Sequence, residues 1–286
     1  EYMIPFSPPR IDYKVIEEVV DTLKSGWITT GPKTKLFEKR ISEYSGAKAT
    51  ICLNSGTAGM ELMLSWFGVG EGDEVIIPAY TYTATANAVV HTGATPVMCD
   101  VKDDFNIDTD KLEALITNKT KVIIPVDLGG FPCDYDEIFD IVRKKEVRSK
   151  FRPRTEPQEL LRRIMVLADG AHSIGATYKG KQSGSLADAT AFSFHAVKNL
   201  TTAEGGALSL NLPDRFDPQK MYKDLNTKSL HGQTKDAFAK VQKGGWRYDV
   251  VEAGFKYNMT DILASIGLVE LERYESDTLK RRRAIF

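Results

Sequence analysis

Short apolar runs recur along this chain near residues 49–53, 74–77, 95–99, 121–126, 164–168, 188–194 and 206–210, and this recurrence limits the fold more than any other feature. Segments near 12–24, 34–44, 57–67, 81–91, 109–116, 134–145 and 214–224 repeat their apolar residues at helical spacing instead. A strand reaches a parallel neighbour through a crossover, usually a helix, so the alternation predicts an α/β fold with a mostly parallel sheet covered by helices on both faces. At 286 residues the chain is long enough for one large domain, expected over 1–260, with a final helix over 261–286. Ligands of such sheets collect at the carboxyl ends of the strands, so the residues that follow each run are where chemistry is expected.

The run near 188–194 leads through His195-Ala196-Val197 to Lys198, and Gly205-Gly206 precedes the next run. An amine at the edge of an apolar sheet is desolvated, which lowers its pKa and prepares it to form a Schiff base with an aldehyde such as pyridoxal phosphate (PLP). A lysine that merely snorkels outward from a strand end would carry the same local sequence. Other strand ends have to decide between the two.

Three of them bear on the question. The run near 164–168 ends in Asp169-Gly170-Ala171-His172, a carboxylate and an imidazole separated by small residues that admit something flat. A carboxylate beside the pyridine nitrogen is what PLP chemistry needs, and a strand-end Asp that caps a turn is the plainer reading. Asn54-Ser55-Gly56-Thr57 lies between a strand and a helix, where free N–H groups and the helix dipole suit a phosphate, or where Ser55 is simply an N-cap. Tyr82, in Pro78-Ala79-Tyr80-Thr81-Tyr82, begins the next helix and either stacks on a planar ligand or packs in the core.

Taken in order, Ser25-Gly26-Trp27-Ile28-Thr29-Thr30-Gly31-Pro32, Asn54-Ser55-Gly56-Thr57, Pro78-Ala79-Tyr80-Thr81-Tyr82, Asp169-Gly170-Ala171-His172, Ser193-Phe194-His195-Ala196-Val197-Lys198-Asn199 and Gly254-Phe255-Lys256-Tyr257-Asn258-Met259-Thr260-Asp261 resemble the DegT/DnrJ/EryC1/StrS sugar aminotransferases, and among them the 4-amino-arabinose type that aminates 4-keto sugars on a nucleotide carrier. The resemblance implies the large domain of the fold-type I, aspartate aminotransferase-like PLP enzymes. It implies Lys198 as the lysine that holds the cofactor, Asp169 as the partner of the pyridine nitrogen, and His172 beside the ring. Tyr82 is then the stacking aromatic, and Gly56, Thr57 and Ser193 the phosphate contacts. Asn258 is implied to reach the phosphate of a second subunit in a homodimer, although the same turn reads as a helix start capped by Asn258 or Thr260. The implied reaction takes nitrogen from an amino acid, glutamate in the family, leaves pyridoxamine phosphate (PMP) as intermediate, and delivers the nitrogen to a nucleotide-linked keto sugar.

The sequence departs from the family pattern in two places. The connection over 146–163 is longer and more basic than usual and is expected to be a surface insertion, a solvated loop with a short helix, with anion steering or a partner contact as the sharper alternative. Family members also continue into a small C-terminal domain beyond the helix that starts at Asp261, whereas this sequence ends at Phe286, so the small domain is expected to be missing.

Rival functions are weighed on residues too. Related enzymes that dehydrate keto sugars replace the lysine by histidine, against which Lys198 speaks. A cysteine desulfurase needs a cysteine on a mobile loop, whereas Cys52, Cys99 and Cys133 fall in apolar surroundings. A PLP-dependent regulator or binding module without turnover is the alternative from another class. A formal net charge of −1 gives no reason to expect nucleic acid or membrane partners, and the histidines show no metal-ligand spacing, so no metal is expected. The apolar stretch over 75–99 is broken by prolines and threonines, and no membrane span is expected. Unpaired cysteines and a start without signal-peptide character lead to the expectation of a cytoplasmic protein.

Overall fold

The computed structural model describes residues 7–235 and 248–285. Its strands are β1 (Ala49–Leu53), β2 (Glu74–Pro78), β3 (Thr95–Cys99), β4 (Thr120–Ile123), β5 (Met165–Asp169), β6 (Thr177–Tyr178), β7 (Lys181–Gln182), β8 (Ala189–Ser193) and β9 (Gly206–Leu210). The main sheet has the order β1-β9-β8-β5-β4-β2-β3, and only β9 runs against its two neighbours. The helices are α1 (Tyr13–Lys24), α2 (Pro32–Ser45), α3 (Gly56–Phe67), α4 (Thr83–His91), α5 (Thr109–Leu112), α6 (Tyr135–Arg143), α7 (Lys145–Lys150), α8 (Glu156–Leu161), α9 (Pro218–Ser229), α10 (Asp261–Glu272) and α11 (Lys280–Ile285). The expected mostly parallel α/β sheet is what forms.

Both faces of the sheet are covered, and the period of two along the strands shows it. Cys52, Phe192 and Ala207 enter one apolar cluster with Phe37 and Ile41 of α2 and Ala264 of α10, while Ile51, Leu53, Ala191 and Leu208 enter the other with Leu62 and Met63 of α3. Each fully buried side chain of this kind contributes about 1.5–3 kcal/mol. At the sheet edge β3 carries Pro96 and leaves Met98 exposed, as an edge strand tolerates.

Local chemistry moves several boundaries. The run expected over 121–126 ends its ladder at Ile123, because Pro125 has no N–H to give, and Val126 joins only through a single bridge to Asp169. The helix expected over 109–116 is one α-turn that tightens into a 3₁₀ turn over Glu113–Leu115. The helix expected near 214–224 starts later, at Pro218, where Asp217 caps Gln219 N–H, and runs on to Ser229.

The basic stretch over 146–163 is not a solvated loop. It folds into α7 and α8 and buries Val147, Phe151 and Leu161. Gln158 donates to Phe67 O at 2.9 Å, tying α8 to the end of α3. Arg163 forms a buried bidentate pair with Asp188, 2.7 Å on each arm, and Asp188 also accepts from Val166 N–H. Arg163 is thereby withdrawn from the surface, while Arg148, Lys150, Arg152, Arg154 and Arg162 stay exposed.

One carboxylate holds two helices together. The first turn of α2 has only Gly31 as its cap, which offers no side chain. Asp261, the first residue of α10 and buried, supplies the missing acceptor: it receives Gly31 N–H (2.8 Å), Lys33 N–H (3.0 Å), Thr34 N–H (2.9 Å) and the Thr34 hydroxyl (2.7 Å). Its charge also sits at the positive end of the α2 dipole. Thr260, not Asn258, caps α10 itself. Asp261→Ala leaves these donors buried without an acceptor, and urea melts should show a loss of about 2–4 kcal/mol.

Candidate active site

The strand ends meet around a cavity of about 460 Å³, a usual size for a small-molecule site. Gly56, Thr57, Tyr82, Asp169, His172, Ser193 and Lys198 all line it. Asn258 does not. Its amide donates to Thr30 Oγ1 at 2.6 Å, on a segment that pairs with the end of β1.

Lys198 lies past the end of β8, on the connection that returns as β9. The loop is closed by Phe194 N–H to Gly205 O (2.8 Å) and Thr202 N–H to Phe194 O (2.9 Å), and Lys198 N–H donates to His195 O at 2.9 Å. Its Nζ stands 2.5 Å from His172 Nε2. His172 is itself held through its carbonyl, which accepts from the Asn199 amide at 2.8 Å. Partial burial lowers the pKa of both groups, and for His172 the neighbouring ammonium lowers it further. A neutral imidazole accepting from the lysine is the arrangement these shifts favour, and losing the lysine proton costs less here than in water.

Asp169 closes the floor of the cavity and is only 6% exposed. Thr85, in the first turn of α4, donates to its Oδ2 at 2.8 Å, and Ala171 N–H reaches Oδ1 at 3.2 Å. Burial pushes its carboxyl pKa up, while those hydrogen bonds and the charges of Lys198 and His172 pull it down. A cation seated against Asp169 would favour the ionised form still more, which makes the position suited to a protonated ring nitrogen.

The opposite wall is the N-terminus of α3. Ser55 caps α3 by accepting from Ala58 N–H at 3.0 Å, and the N–H groups of Gly56 and Thr57 lie in the first turn, where a helix has no acceptors of its own. Space at Gly56 is tight, since a Cβ there would come 3.1 Å from Phe192 O and 3.2 Å from Ser193 Cβ. Gly206 is required: a Cβ would lie 2.3 Å from the Ser55 carbonyl carbon. The glycine at the start of β9 is what lets the strand pass this turn. Tyr82 stands at the N-cap of α4 and is 80% exposed, so its ring is not part of the core.

Together these groups offer a helix N-terminus for a dianion, an exposed aromatic face, a buried acid and a partly desolvated amine. That set fits a flat phosphorylated heterocycle bearing an aldehyde. Among the described residues no cluster of metal-ligating side chains occurs, and no helix is long and apolar enough to cross a membrane.

Two side chains of the site escaped the sequence reading. Thr85 orients Asp169, and only its place one turn inside a helix could have hinted at that. Asp127 lines the cavity and is 1% exposed. It did leave a signal, because the apolar run before it ends in Asp127-Leu128-Gly129-Gly130, an acid followed by small residues much like Asp169-Gly170-Ala171.

The sequence profile of the DegT/DnrJ/EryC1/StrS aminotransferase family matches residues 9–149 and 160–286 and passes over 150–159, inside the basic stretch. The spore coat polysaccharide biosynthesis protein SpsC of Bacillus subtilis is 41% identical over 286 residues, covering 99% of this chain and 67% of that protein. GDP-perosamine synthase of Caulobacter vibrioides is 38% identical over 284 residues, covering 99% and 68% respectively. Among solved structures, Spr1654 of Streptococcus pneumoniae in its PMP form superposes with a TM-score of 0.94 at 56% identity, covering 99% of this chain and 70% of that one. Its PLP form gives 0.93 at 54% identity, again over 99% and 70% of the two chains.

Proposed function

The chain belongs to the DegT/DnrJ/EryC1/StrS aminotransferase family, and on that premise we propose that it is a PLP-dependent enzyme that moves an amino group from an amino acid, L-glutamate first, to a nucleotide-linked keto sugar. The observation that carries the reading is the meeting of Lys198 Nζ and His172 Nε2 at 2.5 Å in the same cavity as buried Asp169 and the N-terminus of α3. PLP, when bound, supplies an aldehyde for an amine and a ring that withdraws electrons from the carbon being deprotonated.

The remaining work falls to side chains. Lys198 would hold the cofactor, and its free amine would be the group that takes up and returns the proton of the donor's α-carbon. Neutral His172 accepts from the lysine and keeps its Nζ aimed into the cavity. Asp169 pairs with the ring nitrogen. Gly56, Thr57 and Ser193 bind the phosphate, and Tyr82 stacks on the ring.

Asn258 has a separate part in the proposal. Turned away from its own cavity, it is free to complete the phosphate site of a second copy in a homodimer. The catalytic unit over 1–260 would then be shared between two chains, with 261–286 leading on toward a small domain. The amino acceptor is a nucleotide-linked keto sugar in this reading because the relatives include GDP-perosamine synthase and a UDP-4-amino-4-deoxy-L-arabinose aminotransferase of Shewanella sediminis.

The direct test is to load the protein with PLP, titrate with glutamate, and follow absorbance. Conversion of the bound PLP spectrum to that of PMP is expected, followed by return of the PLP spectrum when the right keto sugar is added. A panel of UDP-, GDP- and dTDP-linked keto sugars identifies the acceptor. PLP uptake without conversion by any amino donor would leave a binding module in place of an enzyme.

A further inference from the structure

Of the acids that line the cavity, Asp127 and Glu204 have no part in the proposed reaction, and of these two Asp127 is the buried one. It follows β4 much as Asp169 ends β5, and its N–H donates to Asp169 O at 3.1 Å, so the two acids stand on adjacent strand ends in one wall. Its Oδ1 is engaged by Cys133 N–H at 3.0 Å and by the Tyr135 hydroxyl at 2.8 Å. Oδ2 is buried and accepts no hydrogen bond among the described residues. The Ser173 hydroxyl is near enough to favour the ionised carboxylate, and it also shares a 2.6 Å hydrogen bond with Ser183 Oγ in which either hydroxyl can be the donor. Folded chains seldom bury a carboxylate oxygen without a donor, since its desolvation is then unreturned.

The turn that begins at Asp127 also backs the reacting groups. Asp127 O accepts from Gly130 N–H at 3.0 Å, and Gly130 lies so close to His172 that a Cβ would come 2.7 Å from its carbonyl oxygen. Movement at Asp127 therefore reaches the imidazole that touches Lys198. The titratable groups around the carboxylate are Asp169, the Cys133 thiol and the Tyr135 phenol, with His172 and Lys198 across the cavity. Burial pushes the thiol and the phenol up, so both are neutral, and the charges that matter are the second carboxylate and the cations opposite.

We propose that Asp127 is a second functional acid of this cavity: from the strand end beside Asp169, its charge adds to that of Asp169 in holding the heterocycle in its protonated form. The inference rests on the PLP reading given above. It explains why an acid, and not the isosteric amide, stands in a buried position whose desolvation weakens the empty fold.

That cost provides a test that needs no turnover. Burial pushes the Asp127 carboxyl up from 3.8 to about 6. A raised acid contributes its full stability only below its unfolded pKa and loses it as pH rises through the folded value, here between about 4 and 6. Asp127→Asn keeps an acceptor for Cys133 and Tyr135 and escapes the loss. Without cofactor, the variant should melt several degrees above the parent at about pH 8 and by much less at about pH 4.

With PLP bound, the absorbance titration should move about one pH unit lower in Asp127→Asn, because one negative charge has left the wall. Tyr135→Phe, which takes a donor from Oδ1 and so favours the protonated acid, should move the titration the same way by less, and it carries the test if Asp127→Asn does not fold. An unchanged titration overturns the proposal, whether the melting shift depends on pH (a buried acid that faces no occupant, or one satisfied by water) or is equal at both pH values (a structural residue). A parent that takes up no PLP is a different result. It sinks the functional reading, whereas an unchanged titration in a PLP-binding parent sinks only the role of Asp127.

Discussion

Lys198→Ala is expected to fold like the parent and to lose turnover about ten-thousandfold or more. Among the described residues that line the cavity, Lys198 carries the one primary amine. No neighbour can replace it as the group that holds an aldehyde or as the proton carrier between two carbons. The fold does not depend on it: the loop is closed by backbone bonds of Phe194, Gly205 and Thr202, and among the described residues the Nζ hydrogen-bonds His172 alone. Removing a partly desolvated cation should leave the melting temperature level or slightly raised.

The binding prediction is sharper than the kinetic one. Asp169, the N-terminus of α3 and the Tyr82 ring remain in the variant, so PMP, which carries its own amine, should still bind without a covalent bond and raise the melting temperature. PLP should bind as the free aldehyde, with an absorbance that does not respond to the protonation of a lysine adduct. Two measurements decide the matter: absorbance of the PLP-loaded variant, and its thermal shift with PMP. Residual turnover within tenfold of the parent would remove Lys198 from the centre of the reaction.

The fold was readable because the strands are buried on both faces and the helices on one, which leaves two distinct periodicities in the residues. Boundaries were less so. Nothing in Val122-Ile123-Ile124 says that the ladder stops at Ile123, since the cause, Pro125, acts through a hydrogen bond it fails to make. The basic stretch over 146–163 misled for a related reason. Most of its charges are exposed as they look, but Arg163 is buried, and only Asp188, brought against it by the fold, shows why.

The site divides in the same way. That Lys198, Asp169, Gly56 and Tyr82 would meet at one cavity was legible because each lies where a strand ends or a helix begins, or on the loop just beyond. Asp261 and Thr85 act by reaching across to other elements, Asp261 to the start of α2 and Thr85 to Asp169. Tertiary partners of that kind leave no local pattern. Asp127 belonged to the first group and was still passed over, because its motif matched no chemistry under consideration.

Asp169→Asn is expected to cut turnover by about a thousandfold while leaving the fold intact, and the separation follows from what the carboxylate does in each state. In the empty protein Asp169 is a buried acid whose pKa is pushed up, chiefly by desolvation. The amide keeps an acceptor for the Thr85 hydroxyl and the Ala171 N–H. Because the acid's folded pKa is raised, its contribution to stability falls as pH rises through that value, so the amide variant should melt no lower than the parent at neutral pH. Loaded with cofactor, the balance reverses. An amide has no charge with which to keep a ring nitrogen protonated, and an unprotonated ring draws electrons poorly, so both half-reactions slow. Asp169→Ala should lose as much activity and also some stability, because Thr85 and Ala171 then lose their acceptor. The pair of variants separates charge from packing: equal kinetic losses with unequal melting temperatures place the effect on charge. Full turnover in Asp169→Asn would take the ring-nitrogen role away from Asp169 and leave Asp127, on the adjacent strand end, as the acid to test for it.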